Sequence, residues 1–164
     1  MQAEFQAQDA YAIDTFVNAR MASYSDSSSG ERPWWLQRVA EDYFKRADDM
    51  FVDFTIEQLC DDMDAAGVER AILSIQAANP DPEVLAFCAA KPERFKLAVS
   101  LDPRRGMTGL RELEALVRNE PVATARVVPF MIGLPPTHAS YYPVFAKCCE
   151  LNLPITSNAG IPGP

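Results

Sequence analysis

The sequence is poor in the side chains that bind transition metals. It has a single histidine, His138, among 164 residues, so a zinc site with several imidazole ligands cannot be assembled from these residues. Its cysteines form no CxxC pair, which argues against a cysteine zinc site and against a disulfide framework. Three of the four lie among apolar residues of predicted helices, so we expect buried thiols in a cytoplasmic protein. The four are Cys60, Cys88, Cys148 and Cys149.

Further absences narrow the class of protein. Acidic residues outnumber basic ones, 23 to 15, and the net charge is -8, so we expect no nucleic-acid partner. No apolar run approaches the roughly 20 residues of a membrane-spanning helix, and the first ten residues do not resemble a secretory signal. The sequence therefore predicts a cytoplasmic protein with no membrane partner. Its length suits a single domain, residues 1–164, with its own core.

Short apolar segments alternate with amphipathic ones along the chain. This alternation predicts βα units around a parallel sheet, an α/β fold whose strands are buried on both faces. A serine-rich loop is predicted at residues 21–30. The predicted strands are residues 11–20, 68–76, 96–102, 122–130 and 154–160. The predicted helices are residues 33–51, 54–67, 81–95 with an interruption near Pro92, 109–120 and 139–153.

Polar side chains mark the carboxyl end of every predicted strand, where parallel α/β folds carry their chemistry. Asn18, Arg126 and Asn158 are candidate substrate-binding residues on this argument. Arg126 stands in an apolar strand, where a solvated surface charge is not expected. Its planar fork could recognise a substrate carboxylate, and a structural ion pair is the alternative.

Two ionisable residues near the same strand ends are candidate catalytic groups. Asp102 follows the third predicted strand and precedes Pro103, a pattern that is also typical of a turn or a helix cap. His138 stands just before the last predicted helix. It could donate a proton or bind a metal ion, and a surface position at a helix start is the alternative.

Three segments together resemble a known family. "MDAAGVERAILS", "KPERFKLAVSLDPRRG" and "YYPVFAKCCELNLPITSNAGIPGP" are similar, in order and spacing, to the amidohydrolase-related family. This branch holds metal-dependent hydrolases and decarboxylases related to aminocarboxymuconate-semialdehyde decarboxylase. The resemblance covers residues 11–164 and implies a TIM (β/α)8-type barrel, of which this chain supplies about the first five strands. It also implies a divalent metal, usually zinc, and a hydrolase or carboxy-lyase acting on a small carboxylated or cyclic substrate.

The metal ligands implied by the resemblance do not carry over. The family presents a His-x-His pair after the first strand's "ID", and this chain has Phe16 and Asn18 at those positions. The family's histidine at the end of the fifth strand corresponds to Asn158. Phenylalanine cannot bind a metal ion, and an amide oxygen is a weak zinc ligand. We therefore expect a degraded zinc site, with Asn18 and Asn158 at ligand positions, or no metal at all.

The length of the chain leads to two further expectations. Eight βα units take about 250 residues, so the sequence predicts the N-terminal portion of a barrel, either a fragment or a truncated product. The unpaired sheet edges of an open barrel favour association, so we expect a homo-oligomer. The alternatives to an enzyme are a non-catalytic relative that serves as a binding or scaffold subunit, and an inactive truncated fragment.

Overall fold

The computed structural model describes residues 12–21, 34–45 and 51–158. The strands are β1 (Ala12–Val17), β2 (Val68–Gln76), β3 (Phe95–Leu101), β4 (Val122–Val127) and β5 (Ile155–Ser157). The α-helices are α1 (Trp34–Arg38), α2 (Ile56–Ala65), α3 (Pro82–Ala90), α4 (Gly106–Asn119), α5 (Pro129–Ile132) and α6 (Tyr142–Glu150). Three shorter helical segments are the π-helical Val39–Tyr43 and the 3-10 turns Pro103–Arg105 and Ala139–Tyr141.

All five strands form one parallel sheet in the order β1-β2-β3-β4-β5. Each strand pairs with its neighbour in sequence, and at least one helix lies in each connection. Consecutive parallel strands joined by helices are the repeating unit of a TIM barrel, and five of them make an open half-barrel. The α/β fold that the sequence predicts is therefore confirmed.

The helices cover one face of the sheet and form the core with it. Leu97 and Val99 of β3 point to this face and pack with Leu113 of α4 and Val144 of α6 in one buried cluster. Burying a side chain of this size contributes roughly 1.5–3 kcal/mol. The helix-facing side of the sheet is therefore the main source of stability.

The two edge strands are more exposed than the central ones. β1 and β5 each pair on one side only. Ile13 and Phe16 of β1 are 55% and 50% exposed, and Ile155 of β5 is 38% exposed. Strands of a parallel sheet are normally buried on both faces, so these two edge strands are open within the described part of the chain.

A capping box begins α2. The Thr55 hydroxyl accepts a hydrogen bond from the backbone N–H of Gln58 at 3.2 Å, and the Gln58 side-chain oxygen accepts one from the backbone N–H of Thr55 at 3.0 Å. Two N–H groups that the first turn leaves unpaired are satisfied in this way. The box fixes where α2, the helix before β2, begins.

Replacing Thr55 with alanine should lower the free energy of unfolding by about 1 kcal/mol, because the N–H of Gln58 loses its acceptor. Urea denaturation followed by circular dichroism measures the change. Asp61→Ala is the matched control, since Asp61 is an exposed residue of the same helix, and its effect should stay within about 0.5 kcal/mol. Equal effects of the two variants would contradict the capping role.

Two predicted elements are wrong in their extent. The strand expected over residues 122–130 ends at Val127, because Pro129 lacks an N–H and begins α5 instead. The helix expected over residues 33–51 is regular only in α1. It continues as a π-helical segment, in which the N–H of Phe44 donates to the carbonyl of Val39 at 3.0 Å, five residues back.

Parts of the sequence predictions lie outside the described residues. These are residues 22–30 of the serine-rich loop, residues 46–50 of the long predicted helix and the tail 159–164. Among the helices that are described, none is long and apolar enough to cross a membrane.

The four cysteines are free thiols in helices α2, α3 and α6. Cys60, Cys88 and Cys148 are buried and Cys149 is exposed, so the expectation of buried thiols is confirmed for three of the four. Burial raises the pKa of Cys88 to about 11, and it also raises the pKa of Cys148. Since the thiolate is the reactive form, these two thiols are inert packing groups at neutral pH.

Candidate functional site

The inner face of the sheet, opposite the helices, becomes polar toward the carboxyl ends of the strands. Side chains alternate between the two faces of a strand, so Ser74, Ser100 and Arg126 project from the face opposite Leu97 and Val99. Ser100 and Arg126 are paired in register and buried. In a closed TIM barrel this face is the interior, and its carboxyl end carries the active site.

Arg126 of β4 occupies the centre of this face and is 3% exposed. Its Nη1 donates to the Ser74 hydroxyl at 2.6 Å, and its Nη2 donates to the Thr15 carbonyl at 2.9 Å. The guanidinium carbon lies 4.2 Å from the centre of the Phe16 ring, a cation–π contact. The side chain thus reaches across β3 and β2 to β1 and holds a positive charge over the inner face.

An irregularity in β1 creates the contact with Arg126. The pairing of β1 with β2 shifts between Asp14 and Val17, and the Asp14 carboxylate accepts a hydrogen bond from the Phe16 N–H at 2.9 Å. Such a bulge interrupts the ladder and redirects backbone groups. Because of the bulge, the Thr15 carbonyl accepts a hydrogen bond from the Arg126 guanidinium, and the Phe16 ring stacks on that guanidinium.

Asn18 and Asn158 lie at the two ends of the same inner face, and both are half-buried. Asn18 follows β1 and alternates with Val17, which packs on the helix side. Asn158 follows β5, and its N–H donates to the Val127 carbonyl at 3.2 Å. Together with Ser157 and residues 129–130 and 133–136, it borders an open depression of about 510 Å³.

Asp102 caps the turn that follows β3. One carboxylate oxygen accepts from the backbone N–H of Arg104 at 2.9 Å, and the Arg104 guanidinium donates to both oxygens at 2.7–3.1 Å. This guanidinium holds the pKa of the Asp102 carboxyl below its usual range. Asp102 is therefore ionised at neutral pH, and its lowered pKa makes it a weak base.

His138 caps the neighbouring turn, Ala139–Tyr141. Its Nδ1 accepts a hydrogen bond from the Ser140 N–H at 3.2 Å, and the side chain is exposed. This turn contacts the turn that Asp102 caps. Burial, together with the Asp102 carboxylate, raises the pKa of the Tyr141 hydroxyl. The five candidate residues therefore form two groups: Arg126, Asn18 and Asn158 on the inner face, and Asp102 and His138 on adjoining turns above the sheet.

Replacing Asp102 with asparagine should destabilise the fold at pH 7 and should destabilise it less at pH 3. A carboxyl whose pKa is lowered on folding contributes stability above its unfolded pKa of about 3.9, and this is lost as the pH falls through the folded pKa. Asparagine can still cap the turn, so the difference in stability between the wild type and the variant measures the contribution of the charge. Urea unfolding of the wild type and the variant at both pH values measures it. If the stability difference between the wild type and the variant grew toward low pH, it would contradict a lowered pKa for Asp102.

The sequence profile of an amidohydrolase family, Amidohydro_2, matches residues 15–163. The chain therefore belongs to the amidohydrolase family. No protein of curated function matches it.

Three solved structures resemble the chain in their fold. The 5-carboxyvanillate decarboxylase LigW from Sphingomonas paucimobilis has 18% identity and a TM-score of 0.67, over 88% of this chain and 50% of that one. A dihydroxybenzoic acid decarboxylase from Polaromonas sp. JS666, with bound manganese and 2-nitroresorcinol, has 18% identity and a TM-score of 0.58, over 93% and 51%. The 4-oxalomesaconate hydratase LigJ from Rhodopseudomonas palustris has 17% identity and a TM-score of 0.51, over 88% and 51%. The chain spans about half the length of these proteins.

The residues on the inner face do not fit a divalent metal. Of the three positions that the family resemblance assigns to imidazoles, Phe16 offers no donor atom, and Asn18 and Asn158 offer only amide groups. Among the described residues, no group of three or more His, Cys, Asp or Glu side chains is placed to hold a metal ion. The guanidinium of Arg126 also stacks on Phe16 itself.

Sequence reasoning missed the partners of Arg126. In the sequence, Ser74 is one of several polar residues near the ends of predicted strands, and Phe16 is a residue that cannot bind metal. The signal that could have found both is alternation, because Phe16, Ser74 and Arg126 stand at inward positions of three strands. The carbonyl of Thr15 could not have been found, since it depends on the bulge in β1.

Proposed function

We propose that this chain is part of a hydrolase or carboxy-lyase that binds the carboxylate of a small cyclic substrate on the inner face of the sheet. The observation that carries the proposal is the buried guanidinium of Arg126. It is charged at every physiological pH, and its planar fork matches a carboxylate in two parallel hydrogen bonds. Burial strengthens such a pair, because the effective dielectric is lower than that of water.

The contacts of Arg126 suit a binding group. Ser74, the Thr15 carbonyl and the Phe16 ring carry no negative charge. These contacts hold the planar fork in place on the inner face.

Phe16 controls access to the guanidinium. Its ring covers one face of Arg126, while the ring itself is 50% exposed. Exposed side chains change rotamer within nanoseconds, so the ring can turn aside when a ligand arrives. A carboxylate then approaches in the plane of the fork, which is the direction of the N–H bonds.

The similar structures support a carboxylated substrate. The two decarboxylases and the hydratase are named for substrates that each carry at least one carboxylate. On this proposal Asn18 and Asn158 hydrogen-bond to the substrate's other polar groups. Asp102 and His138, on adjoining turns, are the proposed catalytic groups for proton transfer.

A non-catalytic binding subunit is the second candidate. It is favoured by Phe16, Asn18 and Asn158, which stand where the resemblance expects metal ligands. Such a subunit would bind the same carboxylate and would not convert it.

Isothermal titration of the purified protein with 2,6-dihydroxybenzoate and with resorcinol tests the proposal, because the two ligands differ only in the carboxylate. We expect at least tenfold tighter binding of the benzoate. Equal affinities, or no binding of either ligand, would overturn the carboxylate site. Release of resorcinol and CO₂ from the bound benzoate would favour the carboxy-lyase, and binding without turnover of any tested carboxylate would favour the subunit.

We also propose that the protein is a homo-oligomer, because in the described part of the chain β1 and β5 each leave one edge unpaired and expose Ile13, Phe16 and Ile155. Light scattering after size exclusion should give a mass at least twice the 18.2 kDa of the chain. A monomer at micromolar concentration would refute this. The free cysteines favour a reducing compartment such as the cytoplasm, which is our proposed location.

A further inference from the structure

The open depression beside Asn158 offers more room than a single aromatic ring needs. Its volume is about 510 Å³, whereas a cavity of about 150 Å³ is large enough to hold benzene. Ser157 and Asn158, at the end of β5, supply its polar side chains. The segment after β4 supplies an apolar wall, which consists of Phe130, Leu134, Pro135 and Pro136. Its size and its mainly apolar lining are those of a small-molecule site.

The depression adjoins the proposed carboxylate site. Arg126 of β4 pairs in register with Thr156 of β5, and Asn158 stands two residues beyond Thr156. The N–H of Asn158 donates to the carbonyl of Val127, the residue after Arg126, at 3.2 Å. Asn158 therefore borders both the inner face and the depression, and a ligand on the inner face has the apolar wall beside it.

Hydrogen bonds within the protein give the apolar wall its shape. The hydroxyl of Tyr141, which is fully buried, donates to the Leu134 carbonyl at 3.1 Å. The N–H of His138 donates to the Pro135 carbonyl at 2.9 Å. The rings of Pro135 and Pro136 restrict the backbone between these two anchors. Such a wall is formed before a ligand arrives, so binding costs little ordering of the protein.

We infer that the depression binds a second apolar group of an aromatic carboxylate ligand, such as a fused ring, beyond the ring that carries the carboxylate. The inference rests on the proposed carboxylate site for how the ligand is anchored. Its claim about the depression concerns only the apolar wall, and rings without a carboxylate test it separately.

The direct test is titration calorimetry of the wild-type protein with salicylate and with 3-hydroxy-2-naphthoate. The two ligands share the carboxylate and its neighbouring hydroxyl, and they differ in one fused ring. The naphthoate should bind about tenfold more tightly or better, because the second ring leaves water for an apolar surface. Equal affinities, or tighter binding of salicylate, would overturn the inference.

Two variants test whether the second ring lies against the apolar wall. Pro136→Asp places a charge in the wall and should weaken the binding of uncharged 2-naphthol by about fivefold or more, because the ring would desolvate the carboxylate. Thr137→Asp is the matched control: Thr137 is also exposed and is the next residue, but it does not line the depression. Its affinity should stay within about twofold of the wild type.

Equal effects of the two variants would show that the ring binds elsewhere, and this would overturn the inference. Circular dichroism confirms that both variants are folded. If Pro136→Asp is not, the comparison of the naphthoate with salicylate decides the question.

Uncharged rings separate this inference from the proposed function. Tighter binding of 2-naphthol than of phenol, together with equal binding of 2,6-dihydroxybenzoate and resorcinol, would support the apolar depression and overturn the carboxylate site. Binding of salicylate without any gain for the naphthoate would keep the carboxylate site and overturn the inference. Failure of every one of these ligands to bind would overturn both.

Discussion

Replacing Arg126 with methionine should weaken the binding of 2,6-dihydroxybenzoate at least 30-fold. Removing one partner of a buried, hydrogen-bonded charge pair costs about 2 kcal/mol or more, which corresponds to this factor. Methionine is flexible and can fill much of the aliphatic space of the arginine, so the variant removes the charge and the fork. Titration calorimetry on the wild type and the variant gives the ratio of dissociation constants.

Two controls give this result its meaning. Arg126→Lys keeps the charge but loses the bidentate fork, so its affinity should fall between those of the other two proteins. Resorcinol, which lacks the carboxylate, should bind the methionine variant and the wild type equally. The methionine variant leaves the Ser74 hydroxyl and the Thr15 carbonyl without this donor, so its unfolding curve must be recorded. Unchanged benzoate affinity in a folded variant would contradict the role of Arg126.

Replacing Leu113 with alanine should lower the free energy of unfolding by about 2–5 kcal/mol. Leu113 of α4 is fully buried in the cluster between the helices and the sheet. The loss combines the transfer energy of the removed atoms with the cost of the cavity they leave. For a chain of this size, the melting temperature should fall by roughly 5–15 °C.

Met107→Ala is the matched control for Leu113→Ala, because Met107 lies on the same helix and is 60% exposed. Its effect should stay within about 0.5 kcal/mol. Thermal unfolding followed by circular dichroism compares the two variants under one set of conditions. If Leu113→Ala lowered the free energy of unfolding less than Met107→Ala does, the face of α4 that carries Leu113 would not be the one packed in the core.

The fold could be predicted from the sequence because the patterns that specify its strands and helices are local. The apolar runs of β2 and β3 and the leucine periodicity of α4 each specify an element without help from distant residues. The alternation of these elements then specifies parallel pairing. The error at Pro129 arose because residues 122–130 are apolar enough for a strand, while the proline ring favours a helix start.

The contacts in the candidate site could not be predicted as well, because they depend on the register of four strands. The sequence placed Arg126 in a buried strand and raised the choice between an ion pair and a ligand group. It could not show that Phe16 and Ser74, 110 and 52 residues away in the chain, meet its guanidinium. The capping roles of Asp102 and His138 were foreseen as alternatives to catalysis, and the geometry shows both caps. Their proposed roles in proton transfer remain predictions.

The most direct measurement of the central claim is a crystal structure of the protein with 2,6-dihydroxybenzoate. The account predicts that the ligand lies on the inner face with its carboxylate about 2.8 Å from the terminal nitrogens of Arg126, and with the Phe16 ring turned away from the guanidinium. A ligand bound elsewhere, with Phe16 still stacked on Arg126 as it is now, would contradict the account.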